Sequence, residues 1–196
     1  MHNTISKRLS DSQALLTALL ADAELQARIE QAAVLCIESL QRGGKILFCG
    51  NGGSAADAQH LAAELSGRFY YDRPPLRGEA LHVNTSYLTA VANDYGYDQV
   101  FARQVRGSCQ QGDVLVGIST SGNSPNILLA MEAAREIGVQ TIALTGDGGG
   151  AMKTCCDLLI AVPSSDTPRI QECHILIGHI LCELFDSRMF PQEKSR

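Results

Sequence analysis

The feature that most constrains the fold is a unit of strand, small-residue turn and helix. In its clearest copy, the apolar run 114–118 has the length and β-branched character of a buried strand. The turn 119–124 follows, with hydroxyl side chains at four of its six positions. Pro125 is typical of a first helical turn, and Ser124 is in the position of the N-cap. A helix that ends before Gly138 is therefore predicted.

The same plan occurs a second time near the start of the chain. The strand 45–49 leads into the glycine-rich turn 50–54 and then into a helix over 55–69. Ser54 is predicted to cap this helix, with Asp57 three residues later in an arrangement close to a capping box. A weaker third copy places the strand 141–144 before another glycine-rich turn.

Alternation of strands and helices predicts an α/β fold with a mostly parallel sheet and helices on both of its faces. Five strands are predicted, at 45–49, 80–83, 114–118, 141–144 and 158–162. The other helices are expected at 86–92, 98–106 and 167–185. Ligands of such sheets bind beyond the carboxyl ends of the strands, so the turns 50–54 and 119–124 are expected on one rim.

Two amphipathic helices precede the first strand, one over 4–21 and a second that stops at Gly43 and Gly44. They could cover a face of the sheet or pair with another subunit. We favour assembly, because an apolar helical hairpin at a chain end is readily shared between subunits. The 196 residues are then one domain, with this hairpin over 1–43 and an α/β core over 44–190.

Charge, hydropathy and cysteine content exclude several classes of function. The formal net charge is −5 and no basic stripe is present, which argues against a nucleic-acid partner. No apolar run approaches the ~18 residues of a membrane-spanning helix, so no membrane partner is expected. The seven cysteines are odd in number and form no C-x-x-C pair. This pattern predicts reduced, mostly buried thiols in a cytoplasmic protein.

The hydroxyl-rich turn 119–124 is the first candidate site. A helix N-terminus presents unpaired N–H groups and about half a positive charge. Surrounded by hydroxyls, it can bind the dianionic phosphate of a small substrate. The alternative is a turn whose serines and threonine only cap the helix.

Two helices carry pairs of residues suited to proton transfer or metal binding. His60 and Glu64 are four residues apart on the helix after the turn 50–54, and therefore share a face. In the C-terminal helix, Gln171 and His179 lie about 80° apart around the axis. Glu172 and His174 are expected near them. Such a nitrogen and oxygen set suits zinc, although a single helical histidine is more often structural.

A competing interpretation exists for the first turn. Gly50, Gly52 and Ala55 match the G-x-G-x-x-A fingerprint of dinucleotide-binding folds. That fingerprint requires an acidic residue at the end of the second strand, for the ribose. The segment 82–85 contains none, and the fingerprint does not explain a second, hydroxyl-rich turn.

Four separated segments together resemble the phosphoheptose isomerases: GNGGSAADAQHLAAEL, AVANDYGYDQVF, GDVLVGISTSGNSPNI and PRIQECHILIGHILCEL. The likeness covers nearly the whole chain. It implies a flavodoxin-like sugar-isomerase (SIS) domain that assembles as a homotetramer with interfacial active sites. The implied reaction converts sedoheptulose 7-phosphate to D-glycero-D-manno-heptose 7-phosphate, the first step towards the ADP-heptose of the lipopolysaccharide core.

The resemblance also implies a role for individual residues. Glu64 and His179 match the catalytic residues of the family. Its zinc ligands, for one ion per subunit, match His60, Glu64, Gln171 and His179. Its substrate contacts match Asn51, Gly52, Gly53, Ser54, Glu64, Asn93, Asp94, Ser119, Thr120, Ser121, Ser124 and Gln171. This sequence departs from the pattern at Pro168, where some members carry an acidic residue.

One non-enzymatic relative offers an alternative function. A protein that associates with the replication initiator is similar in fold and loop pattern, but serves as a binding adaptor. It lacks the glutamate in the stretch that matches HLAAEL. Because Glu64 is present here, the resemblance favours the enzyme.

Overall fold

A computed structural model describes residues 2–192 of the chain. Met1 and residues 193–196, which the single-domain prediction includes, lie outside the described residues. The strands are β1 (Ile46–Gly50), β2 (Gly78–Ala80), β3 (Val114–Ser119), β4 (Gln140–Thr145) and β5 (Leu158–Ala161). The helices are α1 (His2–Ala21), α2 (Ala23–Gln41), α3 (Gly53–Ser66), α4 (Thr85–Tyr95), α5 (Val100–Ser108), α6 (Pro125–Glu136), α7 (Met152–Cys155) and α8 (Thr167–Met189).

The five strands form one parallel sheet in the order β2-β1-β3-β4-β5. This confirms the predicted architecture, with differences at some element ends. The prediction of β2 at 80–83 was wrong, since this edge strand pairs with β1 only from Gly78 to Ala80. The chain then turns away, because the Asn84 side chain accepts from the Tyr87 N–H and caps α4.

Helices cover both faces of the sheet and create two apolar cores. Val114, Val116 and Ile118 of β3 pack into the core that also contains residues of α1, α2, α3 and α8. Leu115 points to the opposite face, into the core formed with α4, α5, α6 and α7. Alternate side chains of β3 are therefore buried on both sides, which explains why this strand is apolar throughout.

The two N-terminal helices have different roles in the single chain. Helix α2 places Leu25, Ile29 and Cys36 in the first core, so it covers the sheet face. Helix α1 begins before the predicted residue 4 and leaves several large apolar side chains exposed: Ile5, Leu9, Leu16 and Leu20. The covering role is thus confirmed for α2, whereas part of α1 is unpartnered in the monomer.

Two further findings concern the composition-based predictions. All seven cysteines are free thiols, and five of them are buried, as predicted. Burial raises the pKa of Cys182 to about 12, so this thiol stays protonated at neutral pH. Among the described residues, no helix combines the length and apolar character needed to cross a bilayer.

Candidate functional site

The order of the strands places the two predicted turns on either side of a crevice. β1 and β3 are neighbours in the sheet, but the helices that follow them, α3 and α6, pack on opposite faces. The chain therefore diverges beyond the carboxyl ends of these strands, which is where ligands bind in open α/β sheets. The predicted common rim for the two turns is confirmed.

The turn after β1 differs in detail from the prediction. Helix α3 begins at Gly53, and its N-cap is Gly52, with φ of 56° and ψ of −120°. This backbone conformation favours glycine, which explains why a side-chain cap is absent. Ser54 was wrongly predicted as the cap; it lies inside the first turn, buried against Gly50. Its backbone packs so closely that a Cβ on Gly50 would lie 2.4 Å from the Ser54 carbonyl oxygen.

Three of the four hydroxyl groups of the turn after β3 lie close together. Ser119 Oγ lies 2.9 Å from Ser124 Oγ and 3.5 Å from Ser121 Oγ. Ser124 does occupy the N-cap position of α6, but its hydroxyl makes no capping hydrogen bond. That hydroxyl instead joins the cluster of serines, where it can donate to a bound phosphate.

A second glycine-rich loop, 146–151, packs against the turn 119–124, which we call the serine turn. A Cβ on Gly122 would lie 2.1 Å from the Gly149 carbonyl oxygen, so the two backbones are in close contact. The Ala151 N–H donates to Asn123 Oδ1 at 2.9 Å, and the Gly146 N–H donates to the Thr120 carbonyl at 3.0 Å. The weaker third copy of the repeated unit thus holds the serine turn in place.

An amide network connects the two sides of the crevice. Asn51 Nδ2 donates to Asn126 Oδ1 and Asn126 Nδ2 donates to Asn51 Oδ1, each at 2.9 Å. The Tyr97 hydroxyl also donates to Asn51 Oδ1, at 3.2 Å. The predicted sugar ligand Asn51 therefore uses most of its side chain to position the turn. Sequence reasoning missed Asn126 and Tyr97, because no local signal distinguishes a paired amide from an exposed one.

Helices α3 and α8 bring His60, Glu64 and His179 together. His60 Nε2 lies 3.1 Å from Glu64 Oε1 and 3.4 Å from His179 Nε2. One ligand atom from each of the three lies within 4.8 Å of the others, in an arrangement that could hold a metal ion. The imidazole rings of His60 and His179 meet edge to face, with centroids 5.0 Å apart. The rim of the cluster is partly open, since about a quarter of the Glu64 side chain is exposed.

The donor set fits zinc. Two imidazole nitrogens and a carboxylate oxygen are the donors of many catalytic zinc sites, which leave one position open. A tetrahedral zinc ion with bonds of about 2.0–2.1 Å keeps its ligand atoms roughly 3.3–3.4 Å apart. The His60–His179 separation of 3.4 Å matches this spacing.

Asp57 lies next to the cluster, one helical turn before His60. Its Oδ2 is buried and makes no hydrogen bond to the described residues. Burial raises the pKa of this carboxyl group, while His60 and His179 oppose the shift. An orphaned carboxylate oxygen in this position favours a positive charge nearby, in agreement with a cation in the cluster.

Not every residue predicted for the C-terminal helix joins this cluster. The expectation for Glu172 was wrong: it accepts hydrogen bonds from Ser12 and Arg169 and fastens α8 to α1. His174 is fully buried, with its Nε2 3.0 Å from the Thr145 carbonyl oxygen. Burial lowers the pKa of His174 to about 4, so it is a neutral structural residue at physiological pH.

The structure gives fewer contacts for the remaining predicted residues of the helices. The Gln171 amide packs against the start of α3, where a Cβ on Gly53 would lie 2.5 Å from its Nε2. Asn93 and Asp94 are exposed near the end of α4, and Asn93 Nδ2 donates to Asp94 Oδ1 at 2.8 Å. Their predicted roles, as a zinc ligand and as sugar contacts, stay predictions.

Comparison with known proteins decides the family. The SIS domain model matches residues 9–146, and a phosphoheptose isomerase of Akkermansia muciniphila is 58% identical over 168 residues, or 86% of this chain and 89% of the relative. The chain belongs to the phosphoheptose isomerase family. Solved phosphoheptose isomerases of Neisseria gonorrhoeae (TM-score 0.89, 46% identity) and Francisella tularensis (TM-score 0.91, 40% identity) each match 95% of this chain and 98% of their own.

The match to the phosphoheptose isomerases extends beyond the range of the SIS model. The SIS model spans both turns and the residues His60 and Glu64. The two solved isomerases match far more of the chain, so the similarity is not confined to that range.

Proposed function

We propose that this chain is an aldose–ketose isomerase that converts sedoheptulose 7-phosphate to D-glycero-D-manno-heptose 7-phosphate. Membership of the phosphoheptose isomerases supports the reaction class and the sugar. The observation that carries the proposal is the meeting of Glu64 and His179, drawn from different helices, in one cluster. The product would enter the synthesis of ADP-heptose for the lipopolysaccharide core.

The reaction moves a proton between C1 and C2 through an enediol. It requires a base beside the carbon and an acid for the oxygens. We assign the base to Glu64 and the acid, or proton shuttle, to His179. His60 contacts Oε1 of Glu64, and we therefore assign the proton transfer to Oε2.

The serine turn is proposed to bind the phosphate at the far end of the substrate. Ser119, Thr120, Ser121 and Ser124 supply the hydroxyl groups, and α6 supplies its positive N-terminus. Binding energy from this remote group positions the reacting carbons beside Glu64 and His179. The sugar hydroxyls would contact the other predicted substrate ligands: Asn51, Gly52, Gly53, Ser54, Glu64, Asn93, Asp94 and Gln171.

Zinc is the proposed cofactor, with one ion per subunit. His60, Glu64, Gln171 and His179 would hold it, and their donor atoms suit this ion. When bound, zinc supplies a Lewis acid that stabilises negative charge on the substrate oxygens.

The direct test is incubation of the purified protein with sedoheptulose 7-phosphate, following the formation of an aldose phosphate. Turnover would support the isomerase. Its absence from zinc-loaded protein would favour the adaptor, a binding protein on the same fold. Against the adaptor, an acid and an imidazole in contact have no evident use in a protein that only binds.

Replacing both Ser121 and Ser124 by alanine is expected to raise KM by about 10²–10⁴-fold, since hydrogen bonds to charged groups contribute about 1.5–3 kcal/mol each. We expect a smaller change in kcat, because neither hydroxyl touches the reacting carbons. Steady-state kinetics measure both constants. Ser108→Ala is the control, since that hydroxyl bonds to the Gln104 carbonyl at the exposed end of α5. An unchanged KM in the double variant would place the phosphate elsewhere.

We also propose a homotetramer with interfacial active sites. An apolar groove of about 620 Å³ runs between α1, α2 and α8. It is lined by exposed side chains that include Leu16, Leu20, Leu176 and Ile180. A groove of this kind on the surface of a monomer is typical of an interface between subunits.

A charge in this groove is expected to separate the subunits. Leu20 is 79% exposed in the monomer, so Leu20→Glu combined with Ile180→Glu should lower the assembled mass without unfolding the chain. Light scattering after size exclusion measures the mass, and turnover should fall with it if the active sites are interfacial. Gln13→Glu adds a charge at an exposed polar position of α1 and should keep the wild-type mass. A double variant that retains this mass would refute the proposed interface.

A further inference from the structure

A buried ion pair lies outside the crevice and is not used by the proposed reaction. Arg73 Nε donates to Asp186 Oδ1 at 2.8 Å, and the two side chains are only 2% and 1% exposed. Arg73 belongs to the loop that follows α3, and Asp186 belongs to α8. The pair therefore joins the two helices that carry the His60–Glu64–His179 cluster.

Arg73 binds the main chain at the end of α3. Its Nη2 donates to the Glu64 carbonyl and its Nη1 to the Leu65 carbonyl, both at 2.8 Å. Carbonyls in the last turn of a helix have no partner within the helix, and a cation there is favoured by the helix dipole. The guanidinium thus holds the backbone of the residue that we assign as the base.

Asp186 binds the same loop to α8. It lies seven residues after His179, which is two helical turns, so both side chains project from nearly the same face. Its Oδ2 also accepts from the Tyr70 N–H at 3.3 Å. The neighbouring ring of Phe69 packs on the His179 ring, with centroids 5.6 Å apart. The loop is therefore attached to α8 at both His179 and Asp186.

The rest of the contact between α3 and α8 provides little directional constraint. At its centre, Leu61 packs on Gly178, where an added Cβ would lie 2.5 Å from Leu61 Cδ2. This contact sets a short distance between the helices next to His60 and His179. Apolar packing of side-chain ridges into grooves restricts the angle between two helices only to within about 15–20°. Hydrogen bonds with defined geometry narrow that angle further.

We propose that Arg73 and Asp186 are a positioning pair that fixes Glu64 and His60 relative to His179. A buried ion pair is a poor source of net stability, since apolar residues of similar size often replace it without loss. The geometric constraint accounts for its presence better than stability does. This inference rests on the proposed function for the role of Glu64 and His179, but its effect on the shape of the cluster can be measured separately.

The test compares wild-type protein with Arg73→Lys and with the double variant Arg73→Met/Asp186→Leu. Arg73→Lys keeps a positive charge beside Asp186 but loses the planar fork that reaches both carbonyls. The double variant removes both charges together. Zn²⁺ affinity is measured by competition with a chromophoric chelator, and the visible absorption of the Co²⁺-loaded protein reports ligand geometry. Both readouts are independent of turnover.

We expect each variant to fold, to bind Zn²⁺ about 10–100-fold more weakly and to show an altered Co²⁺ spectrum, as when groups that orient metal ligands are removed. With sedoheptulose 7-phosphate, kcat should fall more than KM rises, because the hydrogen bonds of Arg73 go to the end of α3 and not to the serine turn. Leu115→Ala is the matched control: it makes a cavity in the opposite core, which lowers stability without touching α3 or α8.

Folded variants with wild-type Zn²⁺ affinity, Co²⁺ spectrum and kcat would overturn the positioning role. So would a Leu115→Ala protein that shows the same losses, since instability alone would then explain them. If the double variant does not fold, the result for Arg73→Lys alone decides whether the pair positions the cluster. Wild-type protein that binds Zn²⁺ but does not isomerise the sugar would refute the proposed function alone, and the metal measurements would still test the pair. Wild-type protein that binds neither metal ion would overturn the pair as well.

Discussion

Glu64→Gln is expected to lower kcat by a factor of about 10²–10⁴, the contribution typical of a general base. The amide is nearly the same size as the carboxylate but cannot accept the proton from carbon. Because the serine turn is untouched, KM should stay within a few-fold of the wild-type value. Exchange of the substrate C1 and C2 protons with deuterated solvent, followed by NMR, reports the same step directly and should be lost in parallel.

The matched control for this change is Glu136→Gln. Glu136 is exposed on α6 and pairs with Arg106, so the same loss of charge occurs far from the cluster. Its kinetics should equal those of the wild type. Retained turnover and exchange in Glu64→Gln would remove Glu64 from the mechanism and leave a sugar-phosphate binding fold.

His179→Ala is expected to reduce kcat by a comparable factor of about 10²–10⁴. The substitution removes the proposed acid and one of the nitrogen atoms of the cluster. Zn²⁺ affinity should therefore fall together with turnover, which separates this variant from one that only lacks a proton donor. Chelator competition and steady-state kinetics measure the two effects.

His174→Gln tests whether the acid is instead the other histidine of α8. His174 is buried and its pKa is lowered to about 4, so it is neutral above roughly pH 5 and cannot act as an imidazolium acid at neutral pH. We expect a lower melting temperature from the loss of its contact to the Thr145 carbonyl, but an unchanged kcat in protein that remains folded. Full turnover in His179→Ala together with its loss in His174→Gln would reverse the assignment.

Much of the fold was predictable because strands and helices leave a local pattern. The apolar run of β3 and the proline after Ser124 are both local signals, and both were interpreted correctly. The cap of α3 was placed wrongly because a serine side chain is a strong statistical cap, whereas the close approach of the Gly50 and Ser54 backbones depends on the folded chain. The position of edge strand β2 was predicted wrongly for a similar reason, because β2 pairs with β1 only over Gly78–Ala80.

The candidate site was predictable only in part. The spacing of His60 and Glu64 placed both on one face of α3, but their approach to His179 required the packing of α3 on α8. Asn126 and the Arg73–Asp186 pair gave no signal, because the sequence does not reveal which polar residues are buried together. For the same reason His174 and Glu172 were expected near the cluster, although one is buried under β4 and the other faces α1.

The contact between Gly122 and the loop 146–151 has a consequence for how this enzyme can diverge. Any side chain at Gly122 would collide with the Gly149 backbone, so this position of the proposed phosphate site is closed to substitution. Asn93 and Asp94, near the end of α4, are by contrast exposed, and their side chains hydrogen-bond only to each other among the described residues. We therefore expect relatives adapted to shorter or longer sugars to vary at exposed positions of this kind, while Gly122 stays the same.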